Sequence, residues 1–391
     1  MLIYEAPLLF DLGIKALLIA VITYFSIKFK ITSVPILILA GVIISGLLAS
    51  NGVLFGIAET GIVLLFFLLG LEYPLNKMIS IARRIWFGGT LDVLINLVLP
   101  MLLAFLYGFN LDAAFLLGGV TYASSSSITL KMLEEKRRFA NPESDYMIAL
   151  LVFEDIVAPL AVTLISVLYI QGQFTLGIGF SLILKVILLI SVSLILARFL
   201  FRRFKTFFEK IDSQEIFLIF GISIALLYSG VSLLLGLSEL LGAFLAGVML
   251  AELNQTQKFE KNILPVRNIL LPFFFIWFGS NISLADGAFA IPFLIFLLIW
   301  AIIGKIIVGF IGGQVFGLSP RVALRGGLSL VQRGEFSVVI AALAIPEVRS
   351  FGGIYILITA FLGMIFFSKA PKWSKLIDNK FGLKSFSFRQ E

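Results

Sequence analysis

The chain has 391 residues, 60% of them hydrophobic and 40 of them phenylalanine, with a net charge of +7 and no cysteine or histidine. Soluble globular domains are about 45 to 50% apolar, so this composition excludes that class and indicates a polytopic membrane protein. The missing thiols and imidazoles exclude the usual zinc ligands and cysteine or histidine catalysis. Basic residues lie in short segments between apolar runs, which indicates membrane surfaces rather than a nucleic-acid partner.

About thirteen apolar runs are long enough to cross a bilayer as helices. We predict spans near 7–27, 33–50, 56–76, 85–107, 112–133, 144–171, 175–203, 213–230, 232–253, 263–283, 286–316, 319–346 and 351–370. Basic residues fall in alternate connections, whereas the opposite connections hold only Arg349. By the positive-inside rule, we expect a multi-pass cell-membrane protein with its N-terminus outside and its C-terminus in the cytoplasm.

The fifth and twelfth predicted spans contain segments that do not suit a continuous helix in lipid. The fifth carries consecutive serines from Ser124 to Ser127, whose hydroxyls compete for backbone hydrogen bonds. The twelfth carries Gly326, Gly327 and Gly334 among charged residues. Interrupted helices at matching positions of two halves indicate a transporter's midplane site. The alternative is that these small residues only let helices pack closely.

The matching positions of the two interrupted spans predict an inverted repeat in an all-α fold. We place repeat one at 7–171, a linker helix at 175–203 and repeat two at 213–370, within a transmembrane domain of residues 1–370. Residues 371–391 are then a short basic cytoplasmic tail. The repeat is inferred from the order of the spans, since the halves share no detectable sequence identity.

The sixth predicted span carries two adjacent acids, Glu154 and Asp155, in an otherwise apolar run. A charge at the bilayer centre costs about 2.5 to 3.5 kcal/mol, so the pair needs a partner or a function. The candidate partner is Lys305, which is isolated in the eleventh span. Pro159 leaves the Asp155 carbonyl without its helical donor. Together with the serine hydroxyls, these oxygens predict a site for an alkali cation rather than a transition metal.

Several ordered segments of the chain resemble the Kef-type branch of the monovalent cation:proton antiporter-2 family. The segments are Phe66-Phe-Leu-Leu-Gly-Leu-Glu72, Ser124-Ser-Ser-Ser-Ile-Thr-Leu-Lys-Met-Leu133, the Glu154-Asp155 pair, Gly242-Ala-Phe-Leu-Ala-Gly247, Lys305 and Gln332-Arg-Gly-Glu-Phe336. The resemblance covers essentially the whole chain. It implies a sodium/proton antiporter-like fold with two crossed interrupted helices, in which a core slides against a scaffold, usually in a homodimer.

The resemblance also implies roles for particular residues. Asp155 would alternately hold a proton and an alkali cation, and Glu154 would pair with Lys305. Thr121, Ser124 and Ser125 would line the site on the broken helix with their hydroxyls. Ser125 would also be a ligand of the cation. Lys305 either takes part in proton transfer or stays locked to Glu154 as a fixed cation, and both readings remain open.

Glu72 and Arg333 are each a charged residue in apolar surroundings. We therefore predict that they pair, and that Glu335 belongs to the same supporting network of charges. Relatives carry Asp-Asp, Asn-Asp or Gln-Asp where this chain has Glu154-Asp155, so the exchange stoichiometry stays open. Many Kef-type proteins also carry a nucleotide-binding regulatory domain, which is not expected here. Regulation would then need a separate cytoplasmic subunit.

The sequence thus predicts a monovalent cation/proton antiporter without a cofactor, not an enzyme. Sodium and potassium are not distinguished, although the Kef-like motifs favour potassium. The alternative is a proton-independent channel or an organic-anion transporter on the same inverted-repeat fold. An intramembrane aspartyl protease is disfavoured because no Gly-x-Gly-Asp occurs in the chain.

Overall fold

The structure is a computed structural model that describes residues 7–29, 32–45, 52–72, 75–171, 176–210, 213–283 and 290–383. Within these ranges the backbone is helical apart from turns, short connections and one isolated β-bridge. The helices, numbered in chain order, are α1 Leu8–Lys28, α2 Ser33–Ile44, α3 Gly52–Glu72, α4 Leu75–Val93, α5 Leu99–Tyr107, α6 Leu111–Tyr122, α7 Ser126–Glu135, α8 Pro142–Gln171, α9 Leu176–Ile195, α10 Arg202–Glu209, α11 Gln214–Leu234, α12 Glu239–Ala251, α13 Thr256–Ser280, α14 Ile291–Val315, α15 Pro320–Leu328, α16 Glu335–Ala342 and α17 Pro346–Phe381.

The described residues include eight helical spans that are long and apolar enough to cross a membrane. Three shorter apolar helices, α2, α6 and α12, accompany them. Each predicted span falls on one helix or on two consecutive helices, so the predicted all-α polytopic architecture is confirmed. Parts of the predicted spans 33–50 and 286–316 lie outside the described residues.

The connection between α11 and α12 lies later in the chain than predicted. We expected a break between residues 230 and 232, but α11 continues to Leu234. Gly236 has a φ of +73°, a left-handed conformation that glycine adopts at little cost. The Ser238 hydroxyl accepts a hydrogen bond from the Leu240 amide at 3.2 Å and so caps α12. Gly236 and Ser238, which follow the predicted break, therefore set the boundary between α11 and α12.

The last helix is longer than predicted, since α17 continues beyond residue 370 to Phe381. Pro371 lies inside it, where the missing N–H removes one helical hydrogen bond. The beginning of the predicted tail is thus a continuation of the last helix. Residues 384–391 of that tail lie outside the described residues.

A π-helical turn at Leu94–Val98 joins α4 to α5. Such turns leave a backbone carbonyl without its usual partner and often mark functional sites. Here the Trp300 indole N–H of α14 donates to the Ile95 carbonyl at 2.9 Å. Asp92 and Asn96, one just before the turn and one inside it, are both 0% exposed. The turn therefore places two polar side chains against α14.

The Gly-Ala-Phe-Leu-Ala-Gly segment is a close helix contact. A Cβ at Gly247 of α12 would stand 2.0 Å from the Phe67 carbonyl oxygen of α3. A Cβ at Gly242 would stand 2.4 Å from the Tyr228 carbonyl oxygen of α11. Both glycines let α12 approach its neighbours backbone to backbone, as small residues do between membrane helices.

The two predicted interruptions are present, and the two broken helices cross. α6 ends at Tyr122 and α7 begins at Ser126, whereas α15 ends at Leu328 and α16 begins at Glu335. Between them, Ser124 and Arg333 form an isolated antiparallel bridge, and the Ser125 amide donates to the Gln332 carbonyl at 2.9 Å. Backbone groups freed by the two breaks thus satisfy each other, which apolar surroundings require.

A buried carboxylate fixes α15 to the start of α8. Glu143 is 0% exposed, and it pairs with Arg138 at 2.9 Å and with Arg325 of α15. The Arg138 guanidinium also donates to the Phe367 carbonyl of α17 at 3.0 Å. This cluster holds one end of the second broken helix in place beside α8, which carries the two central acids.

Candidate functional site

Glu154 and Asp155 lie on α8 beside the crossing of the broken helices. Their exposed fractions are 0% and 5%. They are adjacent in sequence, so their side chains leave α8 in different directions and meet different partners. The two carboxylates therefore have different electrostatic surroundings although they occupy neighbouring positions.

The Glu154 carboxylate is fully partnered. Its Oε2 accepts a hydrogen bond from the Ser124 amide, and its Oε1 lies 3.3 Å from the Ser124 hydroxyl. The Lys305 Nζ lies 2.9 Å from Glu154 Oε1. The contact between Glu154 and Lys305 expected from the resemblance is thus present, and a backbone amide of the broken helix shares the same carboxylate.

Lys305 has a second buried partner that the sequence did not assign. Its Nζ lies 2.7 Å from Asp92 Oδ1, and the Asn96 side-chain amide donates to the same oxygen at 2.7 Å. Asp92 is an isolated acid in an apolar span, and an asparagine follows it four residues later. That pair of polar residues on one helical face is the sequence signal that could have predicted the contact.

Asp155 has a different set of partners. The Ser126 hydroxyl, at the first residue of α7, lies 3.0 Å from Asp155 Oδ1 and 3.1 Å from Oδ2. Among the described residues, no lysine or arginine forms an ion pair with this carboxylate. α8 continues helically through Pro159, which has no N–H to offer the Asp155 carbonyl. Asp155 is therefore a buried acid without a cationic side chain.

The hydroxyls of the broken helix that were predicted to line the site make contacts of different kinds. The Thr121 hydroxyl lies 2.9 Å from the carbonyls of both Asn96 and Gly118, and so ties α6 to the π turn. The Ser124 hydroxyl also lies 3.0 Å from the Leu330 carbonyl. Neither hydroxyl contacts Asp155. Of the serine tract, it is Ser126, not singled out from the sequence, that does.

Ser125 and Ser127 contact Glu335, not Asp155. The Ser125 hydroxyl caps α7 by accepting from the Ile128 amide at 3.2 Å, and it lies 3.2 Å from Glu335 Oε2. The Ser127 hydroxyl lies 2.7 Å from Glu335 Oε1. Glu335 is the first residue of α16, where a negative charge is stabilised by the helix dipole. The two serines thus join the start of α7 to the start of α16.

The predicted ion pair between Glu72 and Arg333 is not formed. The Arg333 guanidinium is 1% exposed, and it donates to the Tyr122 carbonyl at 3.1 Å and lies 3.5 Å from the Tyr355 hydroxyl. Tyr122 is the last residue of α6, so Arg333 places a positive charge at the carbonyl end of a helix, where it is favourable. Glu72 ends α3. The charge of Arg333 is thus matched by a helix end rather than by an acid.

A cavity of about 370 Å³ reaches Glu335 from one end of the helices. Ser127 and Lys131 of α7 and Glu335 of α16 line one wall. The opposite wall belongs to α2, α3 and α13, and it includes Arg267 of α13. A smaller cavity of about 130 Å³ lies toward the other end of α16, where Val339, Ala342 and Leu343 line it. The crossing therefore lies between a larger and a smaller cavity.

Crossed broken helices beside an acid that has no cationic partner among the described residues are typical of the midplane site of a membrane ion transporter. The family profile described as "Sodium/hydrogen exchanger, transmembrane" matches residues 16–373, and the chain belongs to this family. The structure of the sodium proton antiporter MjNhaP1 from Methanocaldococcus jannaschii matches with a TM-score of 0.70 and 18% identity, covering 93% of this chain and 97% of that one. This likeness concerns the fold.

Two relatives align over nearly the whole chain. One is 44% identical over 375 residues, covers 96% of this chain and 95% of its own, and is named ammonium/H(+) antiporter subunit AmhT of Alkalihalophilus pseudofirmus. The other is 28% identical over 393 residues, covers 96% of this chain and 97% of its own, and is named K(+)/H(+) antiporter subunit KhtU of Bacillus subtilis. The predicted resemblance to a cation:proton antiporter family is thereby confirmed.

Proposed function

We propose that this protein exchanges a monovalent cation for a proton across the cell membrane, and that the two ions compete for Asp155. The observation that carries the proposal is the contrast between the two central acids. Glu154 forms an ion pair with Lys305 at 2.9 Å, whereas Asp155 is 5% exposed and, among the described residues, receives only the Ser126 hydroxyl. A buried carboxylate in this state requires a proton or a cation to neutralise it.

Competition at Asp155 makes the exchange obligatory. A cation binds after the proton has left, and protonation displaces the cation. If the core moves only when Asp155 is neutralised, neither ion crosses alone. The fixed dipoles and charges at the crossing, including Arg333 on the end of α6, stabilise the site without mobile counter-ions.

The two cavities support an alternating-access cycle. The larger cavity lies between the broken helices α7 and α16 and the wall formed by α2, α3 and α13. Sliding of the helices that carry Asp155 against that wall would close this cavity and enlarge the smaller one. The proposed repeats, 7–171 and 213–370, are the units that would supply the two interrupted helices. The alternation of basic connections supports a cytoplasmic position for the side of the membrane on which Lys131 lies.

The transported cation is proposed to be potassium, sodium or ammonium. Ammonium joins the two ions expected from the sequence because a relative with 44% identity is named an ammonium/H(+) antiporter subunit. The word "subunit" in the names of both relatives supports a separate cytoplasmic regulatory partner for this chain. The protein is further proposed to form a homodimer. Each chain would have its N-terminus outside and its C-terminus in the cytoplasm.

The test is dye-reported proton flux in proteoliposomes after addition of potassium, sodium or ammonium in turn. Asp155→Asn should abolish cation-dependent proton movement while the protein remains monodisperse after purification. The matched control is Asp145→Asn, an exposed acid near the start of the same helix, which should exchange at the wild-type rate. Retained exchange in Asp155→Asn would remove Asp155 from this role. Cation movement that needs no proton gradient would favour a channel instead.

A further inference from the structure

The Lys305 ammonium lies between carboxylates from two different helices. Its Nζ is 2.7 Å from Asp92 Oδ1 on α4 and 2.9 Å from Glu154 Oε1 on α8, and all three side chains are 0% exposed. An ammonium without water depends on such partners for its charge. The contacts therefore decide whether Lys305 keeps its proton while ions bind nearby.

The two carboxylates depend on Lys305 to different degrees. Glu154 also accepts from the Ser124 amide on its other oxygen, so it keeps a donor when the lysine moves away. Asp92 receives only the Asn96 amide besides Lys305, and its Oδ2 has no hydrogen-bond partner among the described residues. The contact with Asp92 is therefore the one whose loss leaves the less well satisfied buried charge.

We propose that Asp92 is a positioning residue that keeps Lys305 protonated and in place throughout the transport cycle. This inference rests on the proposed function and adds the exchange ratio to it. Under this proposal Lys305, Asp92 and Glu154 keep one constant total charge through the cycle, and Glu335, the other acid beside Asp155, stays bonded to Ser125 and Ser127. Asp155 alone changes occupant, so one proton binds as one cation leaves. The exchange is then electroneutral, and Lys305 carries no transported proton.

The proposal predicts a change in electrogenicity when Asp92 loses its charge. In Asp92→Asn the Lys305 ammonium retains one carboxylate, Glu154, and it releases its proton when a cation arrives at Asp155. Each cycle then moves an extra proton and hence net charge. Such a cycle is slowed by the membrane potential that it builds and is accelerated when a permeant anion removes that potential.

The experiment measures cation-driven proton flux in proteoliposomes with and without thiocyanate, a membrane-permeant anion. Wild type and the control Asp145→Asn should show the same rate in both conditions. Asp92→Asn should be accelerated by about two-fold or more, because moving one charge against a potential is unfavourable. An oxonol dye should report a membrane potential during exchange by Asp92→Asn and none during exchange by the wild type.

A second variant keeps the proposal testable if Asp92→Asn does not fold. Asn96→Ala removes the amide that holds Asp92 but leaves both charges, and it should show a smaller acceleration by thiocyanate. If Asp92→Asn is active and exchanges like the wild type in both conditions, the proposal is overturned. If Asp92→Asn does not fold, the same behaviour of Asn96→Ala overturns it. A wild type that thiocyanate accelerates overturns it as well. A wild type that exchanges no cation for protons contradicts the proposed function itself, which is a separate outcome.

Discussion

Gly334 lies directly against Ser125, at the point where the two broken helices cross. A Cβ at position 334 would stand 2.4 Å from the Ser125 Cβ, a separation that side-chain carbons do not reach. The neighbouring Gln332 carbonyl accepts the Ser125 amide at 2.9 Å. The crossing thus depends on an absent side chain as well as on a hydrogen bond.

The first prediction concerns this contact. Gly334→Ala should force the two interrupted helices apart and lower the free energy of unfolding by about 1 to 3 kcal/mol, the usual cost of overpacking. Cation/proton exchange should fall with it, since Ser125 and Ser126 begin the helix that holds the site. Thermal unfolding of the purified protein and proteoliposome flux measure both effects.

The matched control for that variant is Gly230→Ala. Gly230 lies within α11, where an added Cβ would meet nothing within 4 Å. Alanine favours a helix over glycine by about 1 kcal/mol, so this variant should be neutral or slightly stabilised and should exchange normally. Equal behaviour of the two variants would show that close approach at Gly334 is unimportant.

The second prediction concerns the charge of Lys305. Lys305→Met leaves Asp92 and Glu154 buried without their shared cation, and breaking such a pair from one side costs about 3 to 5 kcal/mol. Adding Asp92→Asn and Glu154→Gln to that variant removes the stranded charges and should restore most of the lost stability. Unfolding midpoints of the single and triple variants provide the comparison. The exposed Lys372→Met on α17 is the control and should be neutral, and a single variant as stable as the control would contradict the buried cluster.

The membrane helices and the central charges could be predicted from the sequence because both depend on local composition. A run of about 20 apolar residues specifies a span, and an isolated Glu154, Asp155 or Lys305 inside such a run requires a partner. The broken helices were also recognisable, since serine and glycine tracts give the backbone alternatives to a helix. These features do not depend on how the spans pack.

The partners of individual hydroxyls and charges could not be predicted, because they depend on contacts between distant segments. Helical periodicity does not apply through the break after Tyr122, so the sequence did not reveal that Ser126 meets Asp155 while Ser125 meets Glu335. The bond between Lys305 and Asp92 joins residues 213 positions apart. The predicted pairing of Arg333 with Glu72 rested only on both being charged residues in apolar surroundings. It was wrong because a backbone carbonyl accepts the hydrogen bond of Arg333.

The third prediction follows from the partners of Arg333. Arg333→Met leaves the Tyr122 carbonyl without its donor, and an unsatisfied buried polar group costs about 1 to 3 kcal/mol. An added Glu72→Arg should not rescue this variant, and the charge swap Arg333→Glu with Glu72→Arg should perform no better than Arg333→Glu alone. The prediction is tested by flux and unfolding measurements on Arg333→Met and Arg333→Glu, each with and without Glu72→Arg. Rescue by the swap would restore the ion pair that the sequence suggested.

The fourth prediction concerns the hydroxyl that contacts Asp155. The Ser126 Oγ lies 3.0 and 3.1 Å from its two oxygens. A hydrogen bond to a carboxylate stabilises its charged form, which is the form proposed to bind the cation. Ser126→Ala should therefore favour the proton over the cation. At fixed pH, the cation concentration for half-maximal exchange should rise by about ten-fold, since a bond to a charged group is worth about 1.5 to 3 kcal/mol.

The maximal rate at saturating cation should change less in Ser126→Ala than the half-maximal concentration does, because the variant keeps the carboxylate that is proposed to carry both ions. Ser127→Ala is the matched control, since its hydroxyl contacts Glu335 at 2.7 Å and not Asp155. A ten-fold shift in Ser126→Ala with little shift in Ser127→Ala would place cation binding at Asp155. Equal shifts in both variants would instead place it between the two acids, with Glu335 as a second ligand.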